Sequence, residues 1–69
     1  MNALATWYLG NSPIGHMRYT WFSRQYIERD SKLEAIRNGA DYLVIEYNKG
    51  REVMRYERHG SRWYKEVME

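Results

Sequence analysis

The 69-residue sequence contains no cysteine, a single proline and no long hydrophobic run. Without cysteine there is no disulfide, thiolate metal ligand or thiol nucleophile, and we expect a reducing compartment, the cytoplasm. Apolar stretches such as Leu43-Val44-Ile45 are far shorter than a membrane span, and the N-terminus shows no signal-peptide pattern. The length predicts one domain over residues 1–69.

The sequence has little excess charge: 11 Lys and Arg against 9 Asp and Glu give a net charge of +2. This excess is small for a nucleic-acid-binding protein and has the wrong sign for an acidic DNA mimic. Arginine supplies most of the cations, and the chain has seven Tyr and three Trp. Tyr, Trp and Arg are enriched at binding hot spots, but small cores also use aromatic side chains because each buries about 150–250 Å².

The N-terminal third predicts a β-hairpin. Thr6-Trp7-Tyr8-Leu9 is strand-like, and the segment from His16 to Phe22 is rich in β-forming residues. Between them, the run from Gly10 to Gly15 around Pro13 is the strongest loop signal in the chain.

The middle of the chain predicts one helix. Ser31-Lys32-Leu33-Glu34 matches a capping box, in which the first and last side chains each bond to a backbone N–H at the helix start. Leu33, Ile36 and Ala40 fall on one face, and Asn38-Gly39 supplies a stop.

The start of this helix has an alternative near Ser23, because Phe22, Tyr26 and Leu33 would then share a face with Ile36. We favour a strand that runs to about Tyr26, because bulky and β-branched residues in this segment resist helix formation.

The last third predicts a three-stranded meander, with strands from Asp41 to Tyr47, Glu52 to Glu57 and Arg62 to Val67. The expected fold is therefore α+β, with one helix packed on one face of a three- to four-stranded antiparallel sheet. We expect Leu43, Ile45 and Trp63 to form the core beneath Leu33 and Ile36 of the helix.

The face of the middle strand depends on turn length. Three-residue turns ending in Gly50 and Gly60 place Met54 and Tyr56 on the sheet face away from the helix. Two-residue turns place both on the same face as Leu43, beneath the helix. In both registers Tyr42 and Tyr64 share the face that the helix leaves open.

The sequence gives no support for catalysis. His16 and His59 lie in or beside glycine-bearing turns and are interpreted as solvated, and no ligand spacing indicates a metal. We therefore expect no enzyme activity, catalytic residue, metal or cofactor.

A tyrosine-bearing open sheet face favours a binding function, and no membrane partner is expected. The partner-binding residues predicted on or near this face are Tyr42, Tyr56, Arg62 and Tyr64, supported by Arg18, Arg24 and Arg55. Interleaved segments such as Arg62-Trp63-Tyr64 also suit a single-stranded nucleic acid, with Tyr and Trp stacking on bases and Arg contacting phosphates. A homodimer through the same tyrosines is a third hypothesis.

The C-terminal part of the chain resembles small phage-encoded accessory proteins of the anti-CRISPR type. The resemblance rests on a helix ending in glycine, two hairpins and a final Gly60-Ser61-Arg62-Trp63-Tyr64 segment. The resemblance covers about Ser31 to Val67. It implies an inhibitor in the host cytoplasm that occupies the surface of a host protein or nucleoprotein complex. That group shares no fixed site, so the resemblance assigns no residue a role.

Overall fold

The computed structural model describes residues 1–66 of the chain, which form one α-helix and five β-strands. In chain order these are β1 Ala3–Leu9, β2 Ser12–Tyr19, α1 Arg24–Arg37, β3 Tyr42–Tyr47, β4 Glu52–His59 and β5 Arg62–Lys65. The strands form one antiparallel sheet in the order β2-β1-β3-β4-β5, and α1 packs on one face of it. The α+β prediction is therefore confirmed; Val67, the predicted end of the last strand, lies outside the described residues.

The sheet has five strands rather than the three or four predicted, because the N-terminal hairpin joins the C-terminal meander. Strand β1 is an interior strand next to the edge strand β2, and its Ala5 pairs with Met17 of β2 on one side and with Ile45 of β3 on the other. Alternate residues Ala3, Ala5 and Trp7 are buried, which is the period expected of a strand covered on one face.

The N-terminal hairpin is confirmed, but its turn is not around Pro13. Leu9 pairs with Ser12, so the connection is the two-residue turn Gly10-Asn11, and Pro13 lies within β2 opposite Tyr8. Proline lacks a backbone N–H, which an edge strand tolerates, and a bulge follows at the same place.

Ser23 caps the helix, which begins at Arg24. The alternative start near Ser23 is therefore confirmed, and the predicted capping box at Ser31 and the predicted strand to Tyr26 are both wrong. The Ser23 hydroxyl accepts a hydrogen bond from the Tyr26 N–H at 3.1 Å. The backbone changes direction just before the cap, at Trp21, which adopts a left-handed φ of 67°. The predicted stop is confirmed, because Gly39 adopts a φ of 74° just after the helix.

The helix also buries a different face from the predicted one. Ile27, Ser31 and Ala35 point into the sheet and are fully buried, whereas Leu33 and Ile36 are exposed. Small side chains at Ser31 and Ala35 bring the helix close to the sheet, whose large aromatic residues fill the space between them. The predicted sheet side of the core is confirmed: Leu43 and Ile45 are buried, and Trp63 packs partly buried against them.

No helix in residues 1–66 combines the length and the apolar character needed to cross a lipid bilayer.

Replacing Ser23 should cost more stability than replacing Ser31. Ser23→Ala removes the helix cap and is expected to lower the free energy of unfolding by about 1 kcal/mol. Ser31→Ala removes a hydroxyl that donates only to the Glu28 carbonyl one turn earlier, at 3.2 Å, and adds a better helix former. Urea unfolding measures the stability of both variants. A larger loss for Ser31→Ala than for Ser23→Ala would instead indicate that the helix is capped by Ser31.

Candidate interaction surface

Turn lengths in the C-terminal meander decide where Tyr56 points. The β3–β4 turn has four residues, Asn48 to Arg51, and the β4–β5 turn has two, Gly60-Ser61, so the predicted three-residue turns are wrong. Within the first turn, Asn48 and Lys49 both adopt left-handed φ values, of 52° and 61°. As a result of these turn lengths, Leu43 pairs with Tyr56, which lies on the helix side, the face that the alternative two-residue turns predicted, and not on the open face.

Tyrosine hydroxyls of the sheet bond to carboxylates of the helix. Tyr56 donates to Glu28 Oε1 at 2.6 Å, and the Lys32 ammonium lies 4.2 Å from the centre of its ring. Tyr19 donates to Asp30 Oδ2 at 2.7 Å. Burial, and secondly these hydrogen bonds, raise the pKa of both tyrosines above their ordinary value. Tyr56 is therefore positioned to hold the helix to the sheet.

Arg24, predicted as a supporting contact, is also engaged on the helix side. Its Nη1 donates to Glu52 Oε1 at 3.1 Å, and its guanidinium lies 4.4 Å from the centre of the Tyr47 ring. The hydrogen bond to Glu52 raises the pKa of Arg24 and lowers the pKa of Glu52. Arg24 therefore links the start of α1 to β4, away from the open face.

The open face of the sheet carries a row of tyrosines that crosses four strands. Tyr8 pairs with Tyr42, Tyr42 pairs with Glu57, and Glu57 pairs with Tyr64. The Tyr8 and Tyr42 rings meet edge to face with centroids 6.1 Å apart, and Tyr64 packs against His59 at 5.3 Å. Tyr64 exposes 51% of its surface. Tyr42 and Tyr64 thus lie on the face predicted for them, and Tyr8 joins them.

The hydroxyl of Tyr42 is held in place. It donates to Glu66 Oε2 at 2.6 Å, and the ring is half-buried between its neighbours. Burial, followed by this hydrogen bond, raises the pKa of Tyr42 to about 12. A ring that is already ordered loses little conformational entropy on binding, which favours affinity.

Three predicted arginines share this open face with the tyrosines. Arg55 lies opposite Val44 on β4, Arg18 lies opposite Leu4 on β2, and Arg62 lies opposite His59 on β5. Three carboxylates are placed on the same face by their register or by the hydrogen bond to Tyr42: Glu46, Glu57 and Glu66. Cations and carboxylates are therefore mixed across the surface. We define the open sheet face as these tyrosines, arginines and carboxylates.

A second group of aromatic side chains lies beside the start of α1, where the sequence had predicted a strand. Trp21 exposes 89% of its surface, and Phe22 and Tyr26 are exposed as well. The Phe22 and Tyr26 rings stack with centroids 4.7 Å apart and an interplanar angle of 17°. The shared helical face of Phe22 and Tyr26, which follows from a helix start near Ser23, was the signal for this group.

Both histidines are exposed and belong to strands, His16 to β2 and His59 to the end of β4. His59 Nε2 lies 3.4 Å from a Glu57 carboxylate oxygen. In the part of the chain that the structure describes, no three metal-binding side chains come together.

The Gly60-Ser61-Arg62-Trp63 segment, which carries the resemblance to phage-encoded accessory proteins, forms the turn into β5 and its first residues. The resemblance itself stays a prediction. No family model, no curated protein and no solved structure matches this chain.

Proposed function

We propose that this chain is a non-catalytic binding protein that acts by occupying the surface of another protein or of a nucleoprotein complex. The observation that supports this function is the open sheet face, where Tyr8, Tyr42 and Tyr64 form a row beside Arg55 and Arg62. Tyrosine and arginine carry much of the binding energy at protein interfaces. Side chains on a hydrogen-bonded sheet are also held in fixed relative positions before any partner arrives.

The size of the face suits a protein partner. The molecule measures 30 × 29 × 20 Å. Its broad face therefore approaches the roughly 800 Å² that each partner contributes to a standard interface.

The charge of the face also favours a protein over a nucleic acid. Nucleic-acid affinity depends mainly on cations that neutralise phosphates. Here three arginines share the open face with three carboxylates, so the net positive field is small. Mixed charges of this kind instead give orientation and selectivity towards a complementary protein surface.

The partner class proposed here follows from the sequence resemblance. We propose an inhibitor encoded by a phage or other mobile element, which blocks a host defence complex or another nucleic-acid-handling complex. Its proposed compartment is the host cytoplasm, in keeping with a chain that has no cysteine.

Truncating two tyrosines of the open sheet face should abolish capture of the partner. The double variant Tyr42→Ala with Tyr64→Ala is expected to reduce affinity at least about 100-fold, since hot-spot tyrosines cost about 2 kcal/mol or more each. Affinity purification from nuclease-treated host lysate, read by mass spectrometry, measures recovery of each partner. Lys49→Ala with Arg51→Ala, on the exposed β3–β4 turn, is the control. Equal recovery by the tyrosine variant would exclude the open sheet face as the binding surface.

Single-stranded nucleic acid is the competing function, and a direct titration separates the two. Addition of oligonucleotides at low salt is expected to leave the tryptophan fluorescence unchanged. Saturable quenching that weakens steeply as salt is added would support base stacking on exposed aromatic rings and contradict the protein-binding proposal.

A further inference from the structure

The outward side of α1 is apolar. Because an α-helix has about 3.6 residues per turn, the side opposite the buried residues Ile27 and Ser31 carries Tyr26, Leu33 and Ile36. All three are exposed, and Leu33 exposes 53% of its surface. The helix therefore turns small side chains towards the sheet and larger apolar side chains towards solvent.

The aromatic residues before the helix extend this apolar surface. Phe22 stacks on Tyr26, and Trp21 beside it is almost fully exposed. With about 150–250 Å² for each aromatic side chain, the exposed fractions leave on the order of 500 Å² of mostly apolar surface. A patch of that size on a small monomer is typical of an interaction site. We call Trp21, Phe22, Tyr26, Arg29, Leu33 and Ile36 the outer helix stripe.

The outer helix stripe has one cation at its middle, Arg29, which the carboxylates of α1 do not neutralise. The three helix carboxylates are already engaged: Glu28 with Tyr56, Asp30 with Tyr19, and Glu34 with Arg37. Arg29 is exposed and makes no ion pair within residues 1–66. A partner of this stripe must therefore offer apolar side chains together with an aromatic ring or carboxylate for Arg29.

We propose that a second copy of this chain covers the outer helix stripe, through antiparallel pairing of two α1 helices about a two-fold axis near Arg29. The stripe is aromatic on the N-terminal side of Arg29, at Phe22 and Tyr26, and aliphatic on the C-terminal side, at Leu33 and Ile36. Antiparallel pairing places the aromatic half of each copy on the aliphatic half of the other. It also brings Arg29 within reach of the Tyr26 ring of the second copy, a favourable cation–π contact.

The area is also sufficient for a dimer. The apolar part of the stripe and its polar rim approach the roughly 800 Å² that each subunit contributes to a stable interface. A 69-residue domain has a small core, and burial of the stripe adds apolar area to it. Because α1 and the open sheet face lie on opposite sides of the sheet, the dimer would present two open sheet faces outward. The dimer does not depend on the proposed function.

A matched pair of aspartate substitutions tests which surface pairs. Leu33→Asp in the stripe and Tyr64→Asp on the open sheet face alter side chains of similar exposure, 53% and 51%. Sedimentation equilibrium should show a dimer of the unchanged chain. Leu33→Asp should raise the dissociation constant at least about 100-fold, because a two-fold axis makes each substitution count twice. Tyr64→Asp should leave it unchanged.

Three results would overturn the dimer proposal. If the unchanged chain stays monomeric at millimolar concentration, a second copy does not cover the outer helix stripe. A dimer disrupted by Tyr64→Asp lies on the open sheet face instead. A dimer that both variants leave intact uses neither surface.

Cysteine cross-linking tests the antiparallel arrangement, since residues 1–66 contain no cysteine that would interfere. Arg29→Cys, near the axis, should form a disulfide between copies. Ile36→Cys should not, because antiparallel helices separate the two copies of that residue by about 20 Å. A mixture of Phe22→Cys and Ile36→Cys chains should cross-link to each other. Cross-linking of Ile36→Cys with itself would indicate parallel helices and overturn the proposed arrangement.

Discussion

Raising the pH above 10 is expected to unfold this domain over a narrow range. Three tyrosines, Tyr19, Tyr47 and Tyr56, are almost fully buried between the sheet and α1. Burial is the largest cause of their raised pKa values; for Tyr47 the pKa reaches about 12. In the unfolded chain a tyrosine has a pKa of about 10.

The direction of the effect follows from proton linkage. A group whose pKa is higher in the folded state stabilises that state fully below its unfolded pKa, and this contribution is lost as the pH rises towards the folded value. Above about pH 10, these three tyrosines together with Tyr42, whose pKa is also raised, lower the free energy of unfolding by roughly 5 kcal/mol per pH unit. A domain of this size has only roughly 3–10 kcal/mol of stability, so unfolding should be complete within one or two pH units.

Two signals should therefore change together in an alkaline titration. The near-ultraviolet absorbance of tyrosinate reports ionisation of the buried rings, and circular dichroism reports unfolding. Both signals should change in one cooperative step at the same pH. Tyr56→Phe is the informative variant, because it removes one of the four phenols with a raised pKa and should reduce the pH slope by about one quarter. Ionisation of all tyrosines at about pH 10 with an intact fold would contradict this prediction.

Adding one methyl group at Gly15 is expected to destabilise the sheet, because the added atom would overlap a buried side chain. Gly15 pairs with Trp7 across β1 and β2, and the indole of Trp7 lies over it. A Cβ at Gly15 would overlap Trp7 Nε1 and lie 2.9 Å from Trp7 Cε2. The indole is buried against the helix side of the sheet and cannot turn away without displacing the core. Gly15→Ala is therefore expected to cost about 2–3 kcal/mol.

Gly60→Ala separates this steric effect from the usual cost of replacing glycine. Gly60 has a left-handed φ of 65° and no atom within 4 Å of an added Cβ, so only backbone strain of about 1 kcal/mol applies. Chemical denaturation of both variants gives the comparison. Adding Trp7→Phe to Gly15→Ala should recover part of the loss, because the smaller ring frees space. Equal losses at both glycines, with no recovery, would rule out the overlap.

The strands of the C-terminal meander and the helix end could be read from the sequence because their signals are local. Alternating residues in β3 and the glycine at the end of α1 each act within a few positions, and Leu43, Ile45 and Gly39 behave as predicted. The place of β1 between β2 and β3 could not be read in the same way. It depends on pairing between Ala3 and Tyr47, which are far apart in the chain.

The buried side of the helix was misjudged for a physical reason. Leu33 and Ile36 are more apolar than Ser31 and Ala35, so hydrophobic periodicity favours the wrong face. Close packing against bulky rings such as Tyr47 selects small residues instead, and that requirement appears only once the sheet is known.

The candidate site was predictable in part. Tyr42, Tyr64 and Arg62 lie on the expected face. Tyr56 does not, because one additional turn residue reverses the face of every side chain in β4.

The edges of the sheet bear on how the protein avoids aggregation. At one edge, β2 carries Pro13 and an adjacent bulge, which interrupt the row of backbone donors available to a foreign strand. At the other, β5 has only four residues, among them Arg62 and Lys65. Both borders thus oppose edge-to-edge pairing into fibrils, which leaves the broad faces of the molecule for the proposed dimer.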